Sequence, residues 1–147
     1  MVRGICERYK KSALNAVNTA AQILTVGSLL NFSANNVLTG CSIEHIAGAT
    51  SVVLRKAGLY SVDFSANILG GVAGVVTLQL LNKGVPVPGA VATTNIEAGE
   101  TRNVNFNTLF VVDPSCCVVR NFANLQVQLL TTSATITNAS ISVVKEA

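Results

Sequence analysis

The sequence predicts an all-β protein: an antiparallel jelly-roll sandwich of eight to ten strands with a short N-terminal arm or helix. Three observations lead there. Apolar residues recur with a period of two from Ile23 onward, the alternating runs are short, and Gly, Asn and Pro turns separate them. Many short strands at this spacing build a sandwich, and no Rossmann-type or helical-bundle pattern competes. Two units follow, a basic arm over residues 1–22 and a jelly-roll domain over residues 23–147.

In the arm, Ile5, Tyr9, Ala13 and Val17 recur every fourth residue, which predicts a short amphipathic helix or an arm ordered by its partner. Strands are then expected at 23–32, around 42–45 and at 51–55. The clearest segment is 60–68, where Tyr60, Val62, Phe64, Ala66 and Ile68 alternate with Ser61, Asp63, Ser65 and Asn67. Residues 75–81 are nearly all apolar, as in a strand sandwiched between layers or lying at a subunit interface. Asn82-Lys83-Gly84 turns the chain into 85–94, whose Pro86 and Pro88 cannot donate to a ladder and favour a sheet edge. Alternation returns at 103–112 and in Leu125, Val127 and Leu129. In the last strand, Ala134 and Ile136 hold one phase and Ala139, Ile141 and Val143 the other, so a bulge is expected near Asn138.

Composition narrows the function classes. Half of the 147 residues are hydrophobic and 12 % are charged, about half the usual charged share. The longest apolar run, residues 68–76, contains three glycines and is far short of the ~20 residues a membrane helix needs. No clean export signal is visible, because Asn15, Asn18 and Gln22 interrupt the stretch after Lys11. A body this charge-poor carries either a surface of Asn, Thr, Ser and Gln or a surface covered by copies of itself. The fourteen Asn and thirteen Thr support the first, and the apolar excess supports the second. An obligate homo-oligomer is expected, with Val75, Leu78, Leu80 and Leu81 as candidate interface residues.

Enzymatic chemistry has little to work with. A Ser/His/Asp triad would have to use His45, the only histidine. Glu97 and Glu100 flank Gly99 in a polar turn and read as solvated loop charges, not as a cation site. Gly70 and Gly71 lie between strands, whereas a dinucleotide loop opens a helix. Cys6, Cys41, Cys116 and Cys117 match no C-x-x-C pattern and are expected to be buried thiols in a reducing compartment. No catalytic residue, metal site or cofactor is expected.

The net charge of +3 resides at the start of the chain. Arg3, Arg8, Lys10 and Lys11 outweigh Glu7, and Tyr9 lies among them. One aromatic is a poor stacking platform for nucleic acid. A basic arm on a neutral body suits an acidic protein surface better.

The run Leu54-Arg55-Lys56-Ala57-Gly58-Leu59-Tyr60-Ser61-Val62-Asp63-Phe64 resembles a characteristic strand of tumour-necrosis-factor-like jelly rolls. That superfamily includes the globular heads of complement and collagen-like proteins and the heads of bacterial spore-surface filaments. Val76 to Leu81, followed by Asn82-Lys83-Gly84-Val85-Pro86-Val87-Pro88-Gly89-Ala90, is similar to the hairpin that follows in those domains, and 134–145 is similar to their last strand. The whole chain, from its RGICERYKK start through Pro114-Ser115-Cys116-Cys117, also resembles small proteins of gut Firmicutes and their tailed phages. The resemblance implies a trimeric ten-stranded sandwich that works by display or attachment, without catalysis. A Gly-X-Y stalk and the usual aromatics of the terminal strand are missing.

The expectation is a homotrimeric virion protein, assembled in the bacterial cytoplasm and carried on the phage particle surface as a capsid decoration or head fibre. The arm would bind the major capsid protein or another virion scaffold, and removing residues 1–22 should leave the sandwich folded. A carbohydrate- or receptor-binding module, with a host surface glycan as ligand, and a spore or bacterial-surface component are the competing classes.

Overall fold

The computed structural model describes residues 11–114 and 122–147. Eleven strands occupy those residues: β1 (Ala13–Asn18), β2 (Gln22–Leu24), β3 (Ala34–Thr39), β4 (Ile43–Glu44), β5 (Val52–Leu54), β6 (Gly58–Gly70), β7 (Gly74–Asn82), β8 (Val85–Ile96), β9 (Thr101–Val112), β10 (Ala123–Leu129) and β11 (Ala134–Lys145). One sheet has the order β3-β1-β11-β6-β9, with β2 also paired to β11, and the other runs β4-β5-β10-β7-β8. Every pairing is antiparallel. The two sheets enclose one apolar core.

Strand β6 shows how the sequence builds this. Tyr60, Val62, Phe64, Ala66 and Ile68 are all buried, while Asp63 and Ser65 point outward and are exposed. Gly58 precedes them because a Cβ there would lie 2.3 Å from the carbonyl oxygen of Ala147. The chain's C-terminus folds against this point, Leu59 donating its N–H to Ala147 O at 3.1 Å. The buried Tyr60 hydroxyl donates to Lys56 O at 2.6 Å, and burial is the main cause that pushes the phenol above its ordinary pKa. Within the core, Phe64 stacks on Phe106 with centroids 5.0 Å apart.

Several expectations hold in detail. In the turn Asn82-Lys83-Gly84-Val85, Lys83 (φ 51°) and Gly84 (φ 82°) both take positive φ, which matches the twist of a two-residue hairpin. Strand β8, with its two prolines, is an edge of its sheet. The register of β11 against β6 shifts between Ile136 and Asn138.

Others are corrected. Ala13–Asn18 is neither helix nor arm. It is the inner strand β1, paired to β11 on one side and β3 on the other. Leu14 and Ala16 lie in the core, and the Asn18 side chain donates to Ala20 O at 2.7 Å to close the turn that follows. The sandwich therefore begins by residue 13, not at 23. Of the strand expected at 23–32, only Gln22–Leu24 forms, as β2. Beyond it, Gly27 N–H and Leu30 N–H bond to Leu129 O and Val127 O, at 2.7 and 2.8 Å, so this segment lies along β10. Within the chain, residues 75–81 are covered on one face only. Val76, Leu78 and Leu80 point into the core, whereas Thr77 and Gln79 point out.

The cysteine expectation also changes. Cys41 is disulfide-bonded, and Cys6, Cys116 and Cys117 lie outside the described residues. Denatured, non-reduced protein should therefore react with no more than two equivalents of a thiol reagent. Four equivalents would restore the free-thiol reading.

Candidate assembly and attachment surfaces

Lys11, the first described residue, lies at the same end of the sandwich as the C-terminus. Lys11 Nζ lies 3.1 Å from Glu146 Oε1, and Ser61 Oγ donates to Glu146 Oε2 at 2.9 Å. The Ser61 hydroxyl first, and Lys11 second, hold the Glu146 carboxyl below its ordinary pKa. Thr39 Oγ1 donates to Lys11 O at 2.8 Å. The buried Ser12 hydroxyl accepts the Ser42 N–H at 3.0 Å, and Ser12 O accepts the Lys145 N–H at 3.0 Å. Of the predicted attachment residues, Lys11 is thus tied to the C-terminal end of β11. Arg3, Arg8, Tyr9 and Lys10 lie outside the described residues.

The opposite end carries the loops after β6, β8 and β10. The β8–β9 turn is closed by its own charges: Glu100 Oε1 accepts the Glu97 N–H, and Arg102 donates to Glu100 Oε2, each at 3.0 Å. The Arg102 hydrogen bond, ahead of that from Glu97 N–H, lowers the Glu100 pKa. Glu100 is therefore a hairpin clamp, with both carboxylate oxygens engaged.

His45 has a structural place as well. It is buried, its ring edge-on to Phe32 at 6.2 Å. Its two nitrogens lie against Asn35 Oδ1 and the Ala49 carbonyl oxygen. A ring held in this way is not free to act as a base toward a substrate. Among the described residues, no three His, Cys, Asp or Glu side chains cluster to hold a metal ion.

The broadest surface is the outer face of the six-stranded sheet. Across its middle lie Asn15, Ser140, Ser142, Asp63, Ser65, Asn103, Asn105 and Asn107, aligned by the β1–β11, β11–β6 and β6–β9 registers. Many of these bond one another. Asn15 Nδ2 donates to Ser140 Oγ and Ser142 Oγ at 3.1 and 2.9 Å; Asn103 Nδ2 reaches Ser65 Oγ and Asn67 Oδ1 at 3.1 and 2.9 Å. Between these ladders lies a shallow depression of about 320 Å³, walled by Asp63, Asn107 and Ser142 and floored by Phe64 and Phe106. Asp63 is the one carboxylate in this belt. Exposed apolar side chains border it, Leu109 and Val111 toward one end and Ile23 toward the other.

Of the predicted interface residues, only Val75 is exposed. Leu78 and Leu80 belong to the chain's own core and Leu81 is buried as well, so none of these three can meet a neighbour. The outer-face belt escaped the sequence reading because its residues are polar. The signal was there in the alternate positions of the segments at 60–68 and 103–112.

Solved structures of the same shape are found at low sequence identity. A TNF protein, Eiger from S. frugiperda, matches with TM-score 0.70 and 11 % identity over 93 % of each chain. The globular domain of zebrafish complement 1qA matches with TM-score 0.63 and 9 % identity, over 89 % of this chain and 95 % of that one. PRD1 vertex protein P5 matches with TM-score 0.59 and 15 % identity, over 91 % and 96 %. The fold is a TNF/C1q-like jelly roll. No protein-family model matches the sequence and no curated protein matches it, so nothing supports the resemblance to gut Firmicutes proteins.

Proposed function

We propose that this protein is a non-enzymatic structural module that assembles as a homotrimer and is carried on the surface of a virion. The observation that carries the assembly reading is the outer face of the six-stranded sheet. Its middle holds one charge, and large apolar residues stand exposed at both ends. Depletion of charge marks the buried centre of an interface. Three copies is the stoichiometry that the TNF-like resemblance implies.

Attachment falls to the basic N-terminal segment. Arg3, Arg8 and Lys10 precede Lys11 in sequence, and Lys11 pairs with Glu146 at the end opposite the β6–β7, β8–β9 and β10–β11 loops. A partner held by this segment leaves those loops outward. The likeness in fold to a vertex protein supports a virion setting. So does the Cys41 disulfide, since such bonds persist on particle surfaces outside the cell.

Two measurements test this. Light scattering should give three times the 15.3 kDa chain mass, and a monodisperse single chain at micromolar concentration would refute the trimer. Capsids lacking the protein should be decorated by intact protein and not by a variant lacking residues 1–10. Decoration should weaken with salt, because contacts of exposed lysines and arginines are screened beyond ~8 Å at physiological ionic strength. Equal decoration by the truncated protein would place attachment in the sandwich.

A further inference from the structure

We propose that His45 is a proton-operated clasp on the loop joining β4 to β5, closed while both ring nitrogens carry a proton and released when one is lost. The ring sits between two acceptors. Asn35 Nδ2 donates to His45 O at 2.9 Å, which turns Asn35 Oδ1 toward His45 Nδ1 at 2.5 Å. On the other side, Ala49 O lies 3.0 Å from Nε2. A carbonyl oxygen only accepts, and a neutral imidazole has a single N–H. One of the two ring contacts would then set lone pair against lone pair. Turning the Asn35 amide over relieves the ring but sets its oxygen against His45 O. Only the imidazolium, with a donor on each nitrogen, satisfies all three contacts.

Ala49 is where the loop closes. Its carbonyl oxygen also accepts the Phe32 N–H at 3.3 Å, Gly48 N–H bonds Phe32 O at 2.7 Å, and Ala49 N–H bonds Ile46 O at 2.9 Å. Loss of a ring proton therefore loosens Ala49 or Asn35, and with it a loop whose Ile46 is exposed. No other charge competes for the ring. Strand β4 packs against β1, β3 and β5, and from Ser12 to Ile43 and from Ile46 to Leu54 the chain has no acidic or basic side chain. Glu44, beside His45 in β4, is engaged by Arg55. The two carbonyl oxygens thus meet the charge alone, and hydrogen bonds from an ionised donor are stronger than those from a neutral one. The closed loop takes up a proton, so its order is greatest on the acid side of the histidine range and is lost as pH rises through it.

His45 is the single histidine of the chain, so a nitrogen-15 spectrum of intact protein labelled at histidine reports this ring alone. At the acid end both ring nitrogens should carry bonded protons. Hydrogen-exchange protection of the Gly48 and Ala49 amides, corrected for the intrinsic effect of pH, should fall at least tenfold from about pH 5 to about pH 8, while protection in β6 stays level. In His45→Gln the fall should disappear. Protection of Gly48 and Ala49 that stays level in intact protein, falls equally in β6, or falls equally in His45→Gln overturns the clasp. So does a ring with one bare nitrogen while both amides stay protected. If His45→Gln does not fold, the spectrum and exchange of intact protein decide between these outcomes.

Discussion

Deleting residues 1–20 is expected to abolish folding, because it removes β1. This strand lies between β3 and β11, pairing Ala13 with Val144 through Asn18 with Ala139 on one side and Ala13 with Thr39 on the other. Removing it exposes the backbone groups of two strands and leaves β3 with no neighbour in its sheet. Loss of buried Leu14 alone costs about 2–5 kcal/mol. Each ladder hydrogen bond removed costs about 1 kcal/mol more. Against a typical net stability of about 5–15 kcal/mol, the sum is large enough to unfold the chain. Circular dichroism with thermal melting checks it. A 1–20 deletion that melts within a few degrees of the intact protein would show that β1 is dispensable.

The same strand shows where sequence reading stops. Ile5, Tyr9, Ala13 and Val17 recur every four residues, and that spacing fits a helix. It fits a strand equally well, because four is a multiple of two. The inward face of β1 holds Ser12, Leu14, Ala16 and Asn18, all buried. Two polar residues on that face hid the alternation, and their hydrogen bonds to Ser42 N–H and Ala20 O, visible only in three dimensions, let them be buried. In β6, by contrast, every inward residue is apolar or glycine and every residue from Ser61 to Asn67 on the other face is polar, so the strand is plain in the sequence. Strand β7 misled in the opposite direction. A run rich in Val and Leu suggested two covered faces, but Thr77 and Gln79 mark the outer one, where they bond Thr93 and Gln128 at 2.8 and 3.2 Å. The proposed assembly surface is hidden for a related reason: an interface is expected among apolar residues, and this belt is made of Asn and Ser.

Phe64→Ala is expected to destabilise the protein by about 3–5 kcal/mol, as truncation of a buried phenylalanine generally does. The loss comes from more than one contact. Phe64 and Phe106 face each other across β6 and β9 and stack at 5.0 Å. Phe64 also meets Phe32 edge-on at 6.5 Å, and Phe32 in turn packs against His45. The ring therefore joins the six-stranded sheet to the segment that leads into β3 and to the loop after β4. Aromatic pairs of this kind add about 0.5–1.5 kcal/mol beyond the area they bury. For a chain of this size the melting temperature should fall by about 6–20 °C at equal protein concentration, taking about 2–4 °C per kcal/mol. Phe64→Leu, which keeps most of the volume but no ring, should cost about 1–2 kcal/mol. A loss under about 1 kcal/mol for Phe64→Ala would mean that the core collapses around the gap. The outer face provides a second readout. Phe64 and Phe106 floor the depression beside Asp63, so a cavity beneath that floor should speed subunit exchange as well as lower the melting temperature. A variant that melts early yet exchanges at the intact rate would separate the core from the assembly surface.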